Sequence, residues 1–206
     1  MERQRKREYL KLEALECVRS AARSNDESSK AELLKTGVEK YRQYLDFPEN
    51  KDDDDAWAGM GGAYRRLNDI DKAIESYQSA YNLNGSSTYA LVNLATLLAA
   101  RQRPGDKELL AHYSAKAQQL FQQIIDKGKA DYWNLFDVAT LQMIDGRIEE
   151  SQASFKYAAE RTPKDKVESF RSVLSNLQFL KTHQPAMPGL LAAIKVVEGY
   201  LVKPNE

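Results

Sequence analysis

One pattern of bulky, small and aromatic residues is written twice in this chain, 78 residues apart. It runs first as Trp57, Met60, Gly61, Tyr64, Ala73, Tyr77 and Ala80. It returns in degenerate form as Leu135, Val138, Ala139, Gln142, Ser151, Phe155 and Ala158, closed by Pro163. Repetition in phase marks supersecondary units that cannot bury their apolar faces alone and do so against one another. Apolar residues recur at three- and four-residue spacing nearly throughout, and almost no segment alternates with period two, so the units are helical. Pro48, Pro104, Pro163, Pro185 and Pro188 fall where helices should stop. The spacing predicts an all-α chain with helices near 3–24, 30–46, 54–67, 70–83, 87–101, 106–127, 131–145, 147–161, 164–182 and 188–202.

The order of residue sizes has a mechanical reason. A small residue in each helix of a pair lets the two axes approach, while large residues fill the space beside the contact. Moving 34 residues from Trp57 reaches Leu91, followed by Leu94, Ala95 and Leu98, a first helix in the same phase. Its second helix follows as Ala117, Phe121 and Ile124, ten residues later than a strict period allows. The insertion starts at Arg103-Pro104-Gly105-Asp106, so this helix is expected to begin early and project, carrying Leu109, Leu110, His112 and Tyr113. It is either a long helix covering a core edge or a functional arm. Upstream, Gly37, Tyr41 and Tyr44 imitate the second helix of an earlier unit, and downstream Phe170, Val173, Leu174, Leu177 and Leu180 mark another amphipathic helix.

This order of large, small and aromatic positions resembles the tetratricopeptide repeat, a helical pair of about 34 residues. The resemblance is firm over about 54–163 and suggestive outside it. It implies a right-handed superhelix of antiparallel helix pairs. Residues 1–53 would be a degenerate repeat or cap, 54–163 three units with the middle one enlarged, and 164–206 the closing helices.

Thirty basic and thirty acidic side chains cancel, which argues against a nucleic-acid backbone as partner, because that binding requires many phosphates to be neutralised. Arg3, Arg5, Lys6 and Arg7 cluster at the start but are diluted by Glu2 and Glu8. The apolar stretch from Gly189 to Val202 is broken by Lys195 and Glu198 and is too short to span a bilayer. With no apolar leader at the N-terminus, a cytoplasmic protein without a membrane partner is expected. Cys17 is the only cysteine, and its neighbours Ala14, Val18 and Ala21 make it a small core residue.

No residue pattern calls for catalysis, a cofactor or a metal. His112 and His183 lack partners at metal-binding spacing. Gly59-Met60-Gly61-Gly62 lies on a helix and lacks the following Lys-Ser or Lys-Thr of a phosphate loop, so it serves close packing. The acidic run Asp52 to Asp55 suits a helix start, where carboxylates accept free N–H groups and complement the dipole.

The resemblance further implies that first helices of successive units line a concave groove for an extended peptide or partner helix. The first unit would show Ala58, Gly62, Arg65 and Arg66 there. The second would add Tyr89, Val92, Asn93, Thr96 and Ala99, and the third Trp133, Phe136, Asp137, Thr140 and Met143. Asn93 matches the position where peptide-binding members place an asparagine that bonds a ligand backbone. The positions that would grip a terminal carboxylate hold Ala58, Gly62, Trp133 and Asp137 instead of Lys or Arg, which argues against binding of chaperone C-terminal tails. The expected function is thus a protein-binding adaptor or scaffold with a protein or peptide ligand. The alternative is a homo-oligomer built through the last helix or the projecting one. Leu190, Leu191, Ile194, Val197, Tyr200 and Leu201 give that last helix a wide apolar face. It caps the array, turns back into the groove, or pairs with a second copy.

Overall fold

The computed structural model describes the backbone of residues 2–201 and the side chains of 9–201. Among these residues it contains α1 (Glu2–Arg23), α2 (Glu27–Leu45), α3 (Asp54–Arg66), α4 (Ile70–Leu83) and α5 (Thr88–Arg101). There follow α6 (Asp106–Asp126), α7 (Tyr132–Ile144), α8 (Ile148–Arg161), α9 (Val167–His183) and α10 (Leu190–Leu201), with one short 3-10 turn at Pro48–Asn50. Each expected helix is present. The basic cluster from Arg3 to Arg7 has side chains outside the described residues. The chain divides into two compact units, Met1–Ala90 and Leu91–Glu206. That division falls within α5, inside the span expected to hold three repeats.

In the first unit α1 pairs with α2, α3 with α4, and α2 lies against α3. Helix starts are set by aspartates: Asp26 accepts from the Ser29 amide at 2.7 Å and Asp53 from the Ala56 amide at 3.0 Å. Asp53 also takes the Lys11 ammonium at 2.7 Å and the Tyr44 hydroxyl at 2.7 Å. Asp53 therefore starts the helix, as the acidic run suggests from the sequence, and in addition pins α1 to α3, which the sequence does not announce. Where α3 crosses α4, a Cβ on Gly61 would stand 2.8 Å from the Tyr77 ring, and that ring is fully buried. Gly61 is the small residue that lets the two helices meet. Cys17 is half-buried beside Gly37, and burial pushes its thiol up, away from the reactive thiolate.

In the second unit α7 pairs with α8, α9 with α10, and α10 also lies along α8. The α7–α8 crossing repeats the α3–α4 one. Ser151 stands in the place of Ala73 and donates its hydroxyl to the Ala139 carbonyl at 2.8 Å, while Phe155 stands in the place of Tyr77 and is fully buried. Phe136 meets Phe155 at 6.2 Å and Phe170 at 5.9 Å between ring centroids, and Tyr200 stacks on Phe170 at 5.6 Å. Leu190, Ala193, Ile194 and Val197 are buried in the same core, so most of the apolar face of α10 is spent inside its own unit.

The insertion is ordered by one carboxylate. Asp106 receives both Nε and Nη2 of Arg101, at 3.0 and 2.6 Å, and the Arg103 amide at 2.8 Å. Gly105, at φ +86°, makes the left-handed turn that leads into α6. Of the two roles left open for α6, the packing favours the cover over a core edge: Tyr113 is buried and Leu110 packs on the core, while Leu109 and His112 face solvent. Ser114 and Gln118 both donate to Asp145 at the end of α7, tying the long helix down.

Arg101 holds the Asp106 carboxyl below the usual carboxylate range, against the opposing effect of burial. A group whose pKa falls on folding stabilises above its unfolded value near 3.8 and loses that contribution as pH falls through the lower folded value. Urea melts of the wild type and Asp106→Asn should therefore differ by a constant amount from pH 7 to about pH 5 and converge below about pH 4. A gap independent of pH would show that the pair contributes nothing through its charge.

Candidate functional site: the exposed face of α7

Helix α7 is started by a reciprocal capping box. Asp131 accepts from the Asn134 amide at 2.9 Å, and Asn134 accepts from the Asp131 amide at 3.1 Å. That box fixes the first turn, which carries Trp133. Trp133, Asp137 and Thr140 follow at steps of four and three and so share one side of the helix. Phe136, Ala139 and Met143 lie about a quarter-turn around the helix from them and enter the core, and Thr140, nearest that edge, is buried too.

The two sides differ in what they offer. Trp133 remains 38% exposed, its ring tilted against Tyr132 at 5.5 Å. Asp137 is half-buried, and burial, reinforced by the like charge of Asp131, pushes its carboxyl up to about 7. Among the described residues no cation acts on it. Thr140 is buried and bonds its own helix through the Phe136 carbonyl at 2.9 Å. Met143 is 1% exposed, with Gly189 seated over it, and Phe136 is 2% exposed at the centre of the aromatic cluster. These two expected groove residues are core residues.

On α5, Val92, Asn93 and Thr96 are all buried. Thr96 bonds the Val92 carbonyl at 2.8 Å, and the polar side chain of Asn93 lies inside the fold, where it is not left free. In the first unit Ala58, Gly62 and Arg65 are buried, whereas Arg66 is exposed and reaches the Val18 carbonyl at 3.5 Å. Tyr89 is 52% exposed and sits edge-on to Tyr77 at 5.8 Å, with the two hydroxyls 3.3 Å apart. Gly62 leaves room for that pair: a Cβ there would lie 3.3 Å from the Tyr77 hydroxyl.

The first unit also has an open cavity of about 540 Å³ that the repeat pattern does not announce. Leu45, Trp57, Met60 and Tyr64 form its apolar lining, and Arg42, Lys51, Asp46 and Glu75 stand around it. Trp57 and Tyr64 read from the sequence as packing residues. Their polar neighbours are largely engaged: the Trp57 indole donates to the Lys51 carbonyl at 2.9 Å, and Lys72 pairs with Asp69 at 2.8 Å while lying over the Tyr64 ring. No group of histidine, cysteine or acidic residues able to hold a metal occurs among the described residues, and none of their helices is long and apolar enough to cross a membrane.

No family model and no curated protein sequence matches the chain. Among solved structures it is similar to YrrB, described as a TPR protein with an unusual peptide-binding site. The TM-score is 0.42 at 14% identity, over 79% of this chain and 84% of that one. The crossings of α3 on α4 and α7 on α8, each a small residue set against the following helix beside a buried aromatic, repeat one helix-pair arrangement in an all-α protein, as the resemblance stated from the sequence implies.

Proposed function

We propose that the chain is a non-enzymatic interaction module, an adaptor or scaffold, in which the exposed side of α7 docks a peptide or partner helix. The observation that carries this reading is the pairing of a large exposed aromatic, Trp133, with the half-buried Asp137 one turn on. Tryptophan concentrates binding energy at protein interfaces because it buries much area at little entropic cost. Val92, Asn93, Thr96, Phe136, Thr140 and Met143 support the reading by holding α5 and α7 rigid, since all six are buried. Arg66 and Tyr89 are the accessible members of the expected set in the first unit. Self-association through α10 finds less support, because Leu191 is the member of its apolar face left largely exposed, at 54%.

Selection of phage-displayed peptides on the full chain supplies a ligand for the test. Trp133→Ala is expected to weaken the selected peptide at least ten-fold, about 1.4 kcal/mol, with far-UV helical signal unchanged. An unaltered affinity would remove α7 as the docking face.

A further inference from the structure

We infer that the Trp133–Asp137 step of α7 receives an arginine side chain of the docked peptide, the guanidinium lying on the exposed indole and pairing with the carboxylate. The inference rests on the docking role of α7 proposed above and gives that ligand its chemistry.

The contrast with other carboxylates of this chain points to a missing cation. Asp53 has Lys11 at 2.7 Å, Asp69 has Lys72 at 2.8 Å, and Asp106 has Arg101 at 2.6 Å. Asp137 is shielded from water like them, yet the charge that acts on it is another carboxylate, Asp131, at the cap of the same helix. A partly desolvated carboxylate without a counter-ion is costly to keep ionised. A cation arriving with the ligand relieves that cost, whereas an acidic ligand would raise it. Charge complementarity therefore selects a basic partner.

The neighbour one turn back selects which basic side chain. Residues four apart on a helix have Cβ atoms roughly 5–6 Å from each other, so one group can touch both. Guanidinium is planar, stacks on an indole face, and offers an edge of donors to a carboxylate at the same time. Lysine presents a compact charge that satisfies the carboxylate but covers the indole poorly. Trp133 is exposed, while the cation–ring contacts seen among the described residues fall on Tyr44, Tyr64 and Tyr157.

Proton linkage follows from the same geometry. Cation binding favours the ionised carboxyl, so protons compete with the ligand below the folded pKa of about 7. Affinity should fall about ten-fold between pH 8 and pH 6.

The test titrates the full chain, labelled with ¹⁵N, with an acetylated and amidated alanine pentapeptide carrying arginine at its centre. The indole N–H signal of Trp133 is followed, and that of Trp57, bonded to Lys51, serves as internal reference. The same peptide with citrulline, the neutral isostere, and with lysine provides the comparison. The expected result is a Trp133 shift with arginine, at least five-fold weaker binding with citrulline or lysine, and loss of the pH dependence in Asp137→Asn. Citrulline acting as well as arginine would overturn the inference while leaving α7 as a docking face. Lysine acting as well as arginine would overturn the assignment to guanidinium. No response from Trp133 to any of the three would overturn it too. The phage-selected peptide, tested against Trp133→Ala, then shows separately whether the docking reading survives.

Discussion

Tyr77→Ala is expected to destabilise the first unit by about 3–5 kcal/mol, the usual cost of deleting a fully buried aromatic ring. The tyrosine fills the space beside Gly61 with no exposed surface of its own, so its loss leaves a cavity that rigid helix axes cannot close. With urea slopes of about 1–3 kcal/mol per molar, the unfolding midpoint should move down by roughly 1–5 M. Trp57 fluorescence in a Trp133→Phe background reports this unit. A movement below roughly 0.3 M would mean that the α3–α4 contact is not what holds the hairpin. Tyr89 should become more mobile in the same variant, because its ring and hydroxyl both lean on Tyr77.

Phe136→Ala should have an effect of similar size on the second unit, about 3–5 kcal/mol, and little direct effect on ligand contact. The ring links Phe155 on α8 with Phe170 on α9, and Phe170 carries Tyr200 of α10. One truncation therefore loosens four helices. Part of the cost is aromatic pairing, about 0.5–1.5 kcal/mol per pair beyond the area buried. Trp133 fluorescence in a Trp57→Phe background should show an early transition, while peptide affinity measured on the folded fraction stays within about two-fold, under 0.5 kcal/mol. Strong loss of affinity at full stability would return Phe136 to the ligand surface.

That second result separates what the sequence reveals from what it conceals. Helix positions are legible because their signals are local: aspartates that accept free amides at Asp26, Asp53 and Asp131, prolines after helix ends, and three- and four-residue spacing between. The crossing points are legible too, since Gly61 with Tyr77 and Ala139 with Ser151 keep the same order of sizes. Burial of the expected groove residues is less legible. Periodicity tells that Phe136 and Met143 share a helix with Trp133, but not that Phe170 on α9 and Gly189 in the turn before α10, much later in the chain, close over them. Tyr113 is similar: the inserted segment reads as a projection until its contacts with the core are known. The raised pKa of Asp137 and the cavity beside Trp57 are also products of assembly, because both depend on which neighbours are absent as much as on which are present.

The central claim is that a ligand meets this chain on the exposed side of α7. It is tested most directly by chemical-shift mapping of the full chain with its phage-selected peptide. The account predicts the largest perturbations at Trp133 and Asp137, with Phe155 and Leu177 nearly still. Perturbations concentrated instead around Trp57, Tyr64 and Arg42, at the cavity of the first unit, with α7 unmoved, would contradict it.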